Sequence, residues 1–147
     1  MTSGIDNTTE NDIINTGAIS GAKKTPGWQG RHAEKMYEEI RHRTTDTKRI
    51  SEYTQFNEKA VEEIKQHMFL REHKFADGSV HRFDPDFDQV QAWDRLSQGK
   101  GTKVDIEMLK HEYVELTQMR IHGYVYEKAH EIANKYHNWW DMAEKEK

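Results

Sequence analysis

The sequence predicts a mostly α protein, with about six helices in a compact bundle and one small β-hairpin. Several segments place apolar residues three or four positions apart, the spacing of amphipathic helices. Residues that favour helix N-termini stand before most of these segments. Only one short stretch carries a hairpin signal. The chain has 147 residues, a typical length for one domain.

Three helices are predicted in the first half of the chain. The first spans residues 30–43, with Ala33, Met36, Tyr37 and Ile40 at helical spacing. Asp46 is expected to cap a short second helix, and Asn57 a third. The apolar positions of these two helices are Ile50, Tyr53, Ala60, Val61, Ile64 and Met68.

The only strand-like stretch follows, near residues 75–83. Asp77 and Gly78 lie between Phe75 and Val80, which predicts a hairpin. The Asp-Pro pair at 84–85 is expected to open a fourth helix, because proline suits the first helical position. The inner face of that helix carries Phe87, Val90, Trp93 and Leu96, and the run QGKG at 98–101 ends it.

Two further helices are predicted after residue 101. Thr102 is expected to cap the fifth, Gly123 to break it, and the sixth to run from about 124 to 140. The residues expected inside are Ile106, Leu109, Tyr113 and Leu116 on the fifth helix and Ala129, Ile132, Ala133 and Tyr136 on the sixth.

Composition excludes several function classes. The absence of cysteine excludes disulfides, cysteine–zinc sites and thiolate nucleophiles. No apolar run approaches the roughly 18–20 residues of a membrane span, and a net charge of −4 argues against tight phosphate-backbone binding. Residues 1–27, rich in Thr, Asn, Gly and Ser, are expected to form a flexible arm or linker, and residues 28–147 one helical domain.

The strongest local pattern is HEYVE at 111–115, in a chain with nine histidines. Imidazoles titrate near neutrality and suit acid–base work or metal ligation. Zinc proteases need a second histidine where this run has Glu115. Glu112 lies three residues after Leu109 and four before Leu116, on the apolar stripe, so it needs a partner, a metal or a raised pKa. Glu107, His111, Glu115 and His122 share a polar stripe.

The sixth helix places Tyr126, His130 and Asn134 on one face. Because a short turn joins helices five and six, the two should pack antiparallel. We expect Glu112 and His130 to face one another at the floor of a cleft. Two structural readings stay open: a core histidine bonded to a backbone carbonyl, and a boundary glutamate paired with an arginine.

Residues 46–69 resemble a helix-turn-helix, but the second helix begins with acidic residues that phosphates would repel, and Gln55 stands where glycine is expected. We expect this unit to support structure. Residues 31–82 hold eleven Lys and Arg against ten Asp and Glu, and residues 83–147 nine against thirteen. The first half is therefore the side expected to meet an anionic ligand.

Six segments carry a resemblance to a known family. They read GAISGA at 17–22, WQGRHAEKMYEEIRHR, RISEYTQFNEKAVEEIKQHMF, HRFDPDFDQVQAWDRL, VDIEMLKHEYVE and YEKAHEIANKYHNW. Together they resemble C-terminal modules that follow phage head-morphogenesis (minor head) proteins and occur at the C-termini of bacterial polymorphic toxins. Residues that match the recurring pattern are His67, Arg82, Asp84, Trp93, Arg95, His111, Glu112, Glu115, His130 and Asn134, while Gln55 departs from it.

The resemblance implies a toxin tip, often a nuclease, that a dedicated immunity protein neutralises. Such a module acts in the cytoplasm of the producer or target bacterium, delivered by a phage or secreted as the C-terminal part of a larger protein. No membrane partner is expected.

Our first hypothesis is a toxin domain that cuts nucleic acid by acid–base catalysis. The general base is Glu112 or His111, the general acid His130 or His67, and Arg82 stabilises the charge that develops on the phosphate. Whether one divalent metal ion takes part is open. Candidate metal ligands are Glu115 and His111, and candidate substrate-binding residues are Arg41, Arg43, Arg71 and Asn134.

Two alternatives belong to other function classes. One is a non-enzymatic helical module of a phage particle that binds protein or DNA. The other is a toxin that acts on a nucleotide such as NAD.

Overall fold

Seven α-helices, one short π-helix and one antiparallel pair of two-residue strands are found in residues 27–147, the part of the chain that the computed structural model describes. This confirms the predicted mostly α fold with one small hairpin. The predicted arm over residues 1–27 lies almost entirely outside the described residues. In chain order the elements are α1 (Gly27–His42), α2 (Asp46–Thr54), α3 (Glu58–Lys65), the π-helix (Gln66–Leu70), β1 (His73–Lys74), β2 (Val80–His81), α4 (Phe87–Ser97), α5 (Lys103–His122), α6 (Tyr126–Tyr136) and α7 (Trp139–Lys145).

The helix ends follow the predicted caps in most places. The Asn57 side chain accepts from the Ala60 N–H, Thr102 forms a capping box with Asp105, and Gly123 ends α5 at φ +70°. The Asp-Pro pair does not open α4, because Asp86 is the N-cap and its side chain accepts from the Gln89 N–H.

Two further boundaries differ from the prediction. Thr45, not Asp46, is the N-cap of α2. The predicted sixth helix is two helices, since α6 ends at Tyr136 and the Asn138 side chain caps α7. Asn138 can satisfy a free N–H of a new helix, so one helix ends before it and another begins after it.

The core lies between α5 and the helices packed around it. Its largest buried side chains are Trp93, Trp139, Tyr37 and Phe69. A second, smaller cluster of Phe75, Phe83 and Tyr126 joins the hairpin to α6. Tyr113 and Tyr136 were expected inside, but they are 44% and 70% exposed.

Asp46 is buried at the start of α2 because it connects three helices. Its carboxylate accepts from Lys65 Nζ on α3 and from Trp93 Nε1 on α4, each at 3.0 Å. An ionised carboxylate inside a protein needs such partners. Asp46 was expected to cap α2, but its side chain instead connects α2 to α3 and α4 in the core.

The π-helix changes which residues face inward after α3. His67, Met68 and Phe69 are all buried, although they are consecutive. A regular amphipathic α-helix turns 100° per residue and buries only one stripe, whereas the π-turn inserts an extra residue. As a result, His67 points into the protein.

The described helices include none that is both long and apolar enough to span a bilayer.

The turn between α2 and α3 generates the first prediction. Gln55 adopts φ +67°, a left-handed conformation that favours glycine. Gln55→Gly should raise the free energy of unfolding by about 0.5–1 kcal/mol. Urea unfolding followed by circular dichroism measures this. The matched control is Gln98→Gly, since Gln98 also follows a helix but has φ −94° and no left-handed strain to relieve. Equal destabilisation by both substitutions would contradict the prediction.

Candidate functional site

Five ionisable side chains from three elements meet inside the protein. His111, Glu112 and Glu115 come from α5, His67 from the π-helix, and His130 from α6. We call these five residues the His–Glu cluster. Four of them are at most 2% exposed, and the His130 side chain is 22% exposed. Burial of this many ionisable groups requires that they compensate one another.

Glu115 is the centre of the cluster. Its Oε1 accepts from His67 Nε2 at 2.7 Å, and its Oε2 accepts from His130 Nδ1 at 2.9 Å. His111 Nε2 lies 3.3 Å from Oε2, at ion-pair distance. Burial alone would raise the pKa of Glu115, but the three histidines outweigh it and hold this pKa well below the ordinary value.

Glu112 has weaker contacts. Its Oε1 lies 3.5 Å from His67 Nε2, and its Oε2 lies 3.5 Å from Gln89 Nε2 and 3.9 Å from His111 Nε2. Burial, and then the charge of Glu115, raise the pKa of Glu112 well above its ordinary value. The pKa values of the two carboxyls of α5 are thereby shifted in opposite directions.

The expected pairing of Glu112 with His130 is wrong, since His130 donates to Glu115. The reason is the register of the α5–α6 hairpin. Gly123 lies eight residues after Glu115 and seven before His130, so the two are at nearly equal distances from the turn. Glu112 is one helical turn farther away, about 5 Å along the axis.

Three outer hydrogen bonds surround the cluster. His111 Nδ1 donates to the His137 carbonyl at 2.9 Å, and His137 Nδ1 donates to Glu107 at 2.6 Å. His73 Nε2 donates to the His67 carbonyl at 2.8 Å, and burial lowers the pKa of His73 to about 4. For His111, burial lowers the pKa, but Glu115 and Glu112 outweigh this and raise it to about 9.

Behind Glu112, the polar network continues to α1 and α4. The Tyr37 hydroxyl donates to Gln89 Oε1 at 3.1 Å, and Gln89 Nε2 lies 3.5 Å from Glu112 Oε2. Asp86 is buried one turn before Gln89, and its burial raises its pKa to about 7. None of these three residues stands out as a functional residue from the sequence alone.

Within residues 27–147, one side of the cluster reaches solvent. That side is His130, whose ring packs against Tyr126 at a centroid distance of 5.1 Å. Two surface grooves of about 520 and 430 Å³ lie between α3 and α5, and no cluster residue lines either groove. A substrate would therefore meet the cluster at His130, beside α6.

The four arginines that the sequence suggested as site residues form hydrogen bonds or ion pairs with other parts of the fold. Arg41 donates to the Phe69 carbonyl and Arg82 to the Leu70 carbonyl, while Arg43 pairs with Asp94 and Arg71 with Glu63. In the described part of the chain, none of the four forms an ion pair or hydrogen bond with the cluster. Asn134 lies on the His130 face of α6, and its buried Oδ1 has no hydrogen-bond partner.

Two sets of three ligand atoms within the cluster are spaced for a metal ion. One set is His111, Glu115 and His130, and the other is His67, Glu112 and Glu115. Within each set the atoms lie within 4.8 Å of one another. His111 and Glu115, the metal ligands suggested by the sequence, share the first set.

No family model, curated protein or solved structure matches this chain. Its function is accordingly inferred from the chemistry of its own residues.

The raised pKa of Asp86 generates the second prediction. Because the folded-state pKa is about 7 and the ordinary value is 3.8, the folded protein retains a proton that the unfolded chain releases. The free energy of unfolding should therefore fall as pH rises from about 4 to 7, by about 1.4 kcal/mol per unit of pKa difference. Asp86→Asn keeps an oxygen for the Gln89 N–H and removes the charge.

We expect urea unfolding to find Asp86→Asn more stable than the wild type at pH 8 and similar at pH 4. Asp86→Ala, which also removes the cap, should be less stable than the asparagine variant by about 1 kcal/mol at both pH values. A higher free energy of unfolding for the wild type than for Asp86→Asn at pH 8 would contradict this prediction.

Proposed function

We propose that this chain is a hydrolase of the nuclease type, a C-terminal toxin domain that acts through the His–Glu cluster. The observation that carries the proposal is the convergence of three imidazoles and two carboxylates at one buried point. Neither carboxylate is ion-paired with a Lys or Arg in the described residues, unlike Asp46, whose partner is Lys65.

The contrast with Asp46 supports a functional reading. A buried acid that serves the fold is satisfied by fixed cations and N–H donors, as Asp46 is. Glu112 is equally buried, yet its nearest donors lie at 3.5 Å or more. Strongly perturbed carboxyls and imidazoles in one cluster are typical of catalytic sites. A well-packed apolar side chain at position 112 would stabilise the fold at least as well.

The residues suit hydrolysis of a phosphodiester bond. Water attacks phosphorus, the bond to the departing sugar oxygen breaks, and one proton moves from the water to the departing oxygen. We assign the substrate-facing proton transfer to His130. Glu112, the carboxyl with the fewest hydrogen bonds, exchanges that proton inside the cluster by way of His111 and Glu115. Lys74 is exposed on the hairpin beside α6 and suits a phosphate backbone.

The toxin assignment is supported by the resemblance to polymorphic-toxin modules. A lethal domain must be held inactive in its producer, so we propose a small immunity protein encoded alongside it. An acidic inhibitor would suit the basic and histidine-rich residues 31–82, which hold five of the nine histidines.

A second candidate, a helical binding module, is favoured by the grooves between α3 and α5. Tyr113 lines both grooves, Ile121 lines one, and these side chains are 44% and 75% exposed. Apolar side chains beside a groove are typical of helix-docking surfaces. Expression of a binding module would not harm a cell, and changes in the His–Glu cluster would not alter its binding.

Expression in a bacterial cytoplasm tests the proposal and gives the third prediction. The wild type should arrest growth, and Glu112→Gln and His130→Gln should abolish this effect while retaining the helical circular dichroism spectrum. The purified variants should cut nucleic acid at least about 100-fold more slowly, the lower end of what acid–base catalysis contributes. The matched control is His122→Gln, an exposed histidine on α5, which should act as the wild type does.

The substrate is identified by incubating the purified protein with plasmid DNA, total RNA and NAD. Cleavage of either nucleic acid supports the proposal. Consumption of NAD alone would assign the cluster to nucleotide chemistry. Full toxicity of both variants, or a harmless and inactive wild type, would overturn the proposal and favour the binding module.

A further inference from the structure

We infer that the His–Glu cluster binds one divalent transition-metal ion through His111 Nε2, Glu115 Oε2 and His130 Nδ1. As a statement about catalysis this inference rests on the proposed function, since it makes the hydrolysis metal-assisted. As a statement about binding it rests on three features of the described residues: an unpartnered donor atom, the spacing of the ligand atoms, and the outer contacts.

The unpartnered atom is His111 Nε2. His111 is completely buried, and its Nε2 has no hydrogen-bond partner. Its Nδ1 donates to the His137 carbonyl, so in the neutral ring the lone pair belongs to Nε2, which faces Glu115. The contact of Nε2 with Glu115 Oε2 at 3.3 Å is at ion-pair distance but is not a hydrogen bond. Buried nitrogen atoms without a hydrogen bond are rare. A metal ion would accept this lone pair.

The spacing of the three atoms suits four-coordinate geometry. Glu115 Oε2 lies 2.9 Å from His130 Nδ1 and 3.3 Å from His111 Nε2. Ligands at about 2.0–2.1 Å from a tetrahedral zinc ion stand about 3.4 Å apart. Small side-chain movements would therefore let all three bind one ion. The fourth position is left for water on the partly exposed His130 side.

The outer contacts resemble those of known metal ligands. A metal-bound imidazole usually donates its other N–H to a carbonyl or carboxylate, which fixes the ring. His111 does so to the His137 carbonyl, and His137 in turn donates to Glu107. Glu112 directly follows the first ligand, as the general base does in H-E-x-x-H zinc enzymes, while Glu115 stands at the position of their second histidine.

The donor set selects the class of metal. Two imidazole nitrogens and one carboxylate oxygen suit zinc and its neighbours in the first transition row, whereas magnesium and calcium prefer oxygen alone. The other set, His67, Glu112 and Glu115, is fully buried and leaves no side for water, whereas the first set reaches solvent at His130. We therefore assign the ion to the first set.

Titration of the chelator-treated protein with Zn²⁺, measured by calorimetry, tests the inference and is the fourth prediction. One ion per chain should bind, and Co²⁺ in its place should give the visible absorption bands of a four-coordinate site. His130→Gln, at the most exposed ligand, should weaken binding at least about 100-fold, since outer contacts alone contribute 10–100-fold. His111→Gln should do the same, and His122→Gln should bind as the wild type does.

Three results would overturn the site: no Zn²⁺ or Co²⁺ binding, unchanged affinity in folded His130→Gln, or loss of binding only in His67→Gln. Glu112→Gln should bind Zn²⁺ within a few-fold of the wild type. A wild type that binds Zn²⁺ but cuts no nucleic acid would overturn the proposed function and leave the metal site standing. Cleavage that continues after a chelator has removed the metal would show that the metal takes no part in the reaction.

Discussion

One buried carboxylate organises the centre of this protein. Glu115 is 1% exposed and is compensated by histidines from α5, α6 and the π-helix. An ionised carboxylate in the interior is tolerated only when its partners are held in place. The register of the α5–α6 hairpin and the π-helix bring His130 and His67 to Glu115, and they thereby meet that requirement. The surrounding core positions the histidines, and the histidines in turn compensate the buried charge of Glu115.

Much of this arrangement can be predicted from the sequence. The caps at Asn57 and Thr102 and the end at Gly123 define helices that the structure confirms. Glu112 stood out because it interrupts an apolar stripe, and it is indeed buried. The Glu115–His130 pair was also within reach, since their near-equal distances from Gly123 predict contact in an antiparallel hairpin.

Other features follow only from tertiary packing. Residues His111 and Glu115 lie on a polar stripe of α5, but helices pack on several sides of α5 and bury both of them. The π-helix has no spacing signal, so nothing marked His67 as inward. The fourth helix was expected to open at residues 84–85, whereas Asp86 is the N-cap of α4 and is buried there. The arginines suggested a binding face, and the structure instead pairs them with carbonyls and acids of the fold.

On the proposed function, Glu112 serves the reaction and not the fold. The most direct test is the free energy of unfolding of Glu112→Met, measured in urea at pH 8. Methionine fills a similar volume without a charge, so this variant should be as stable as the wild type or more stable, but inactive. A loss of several kcal/mol in this variant would show that Glu112 holds the structure together, and would contradict this role.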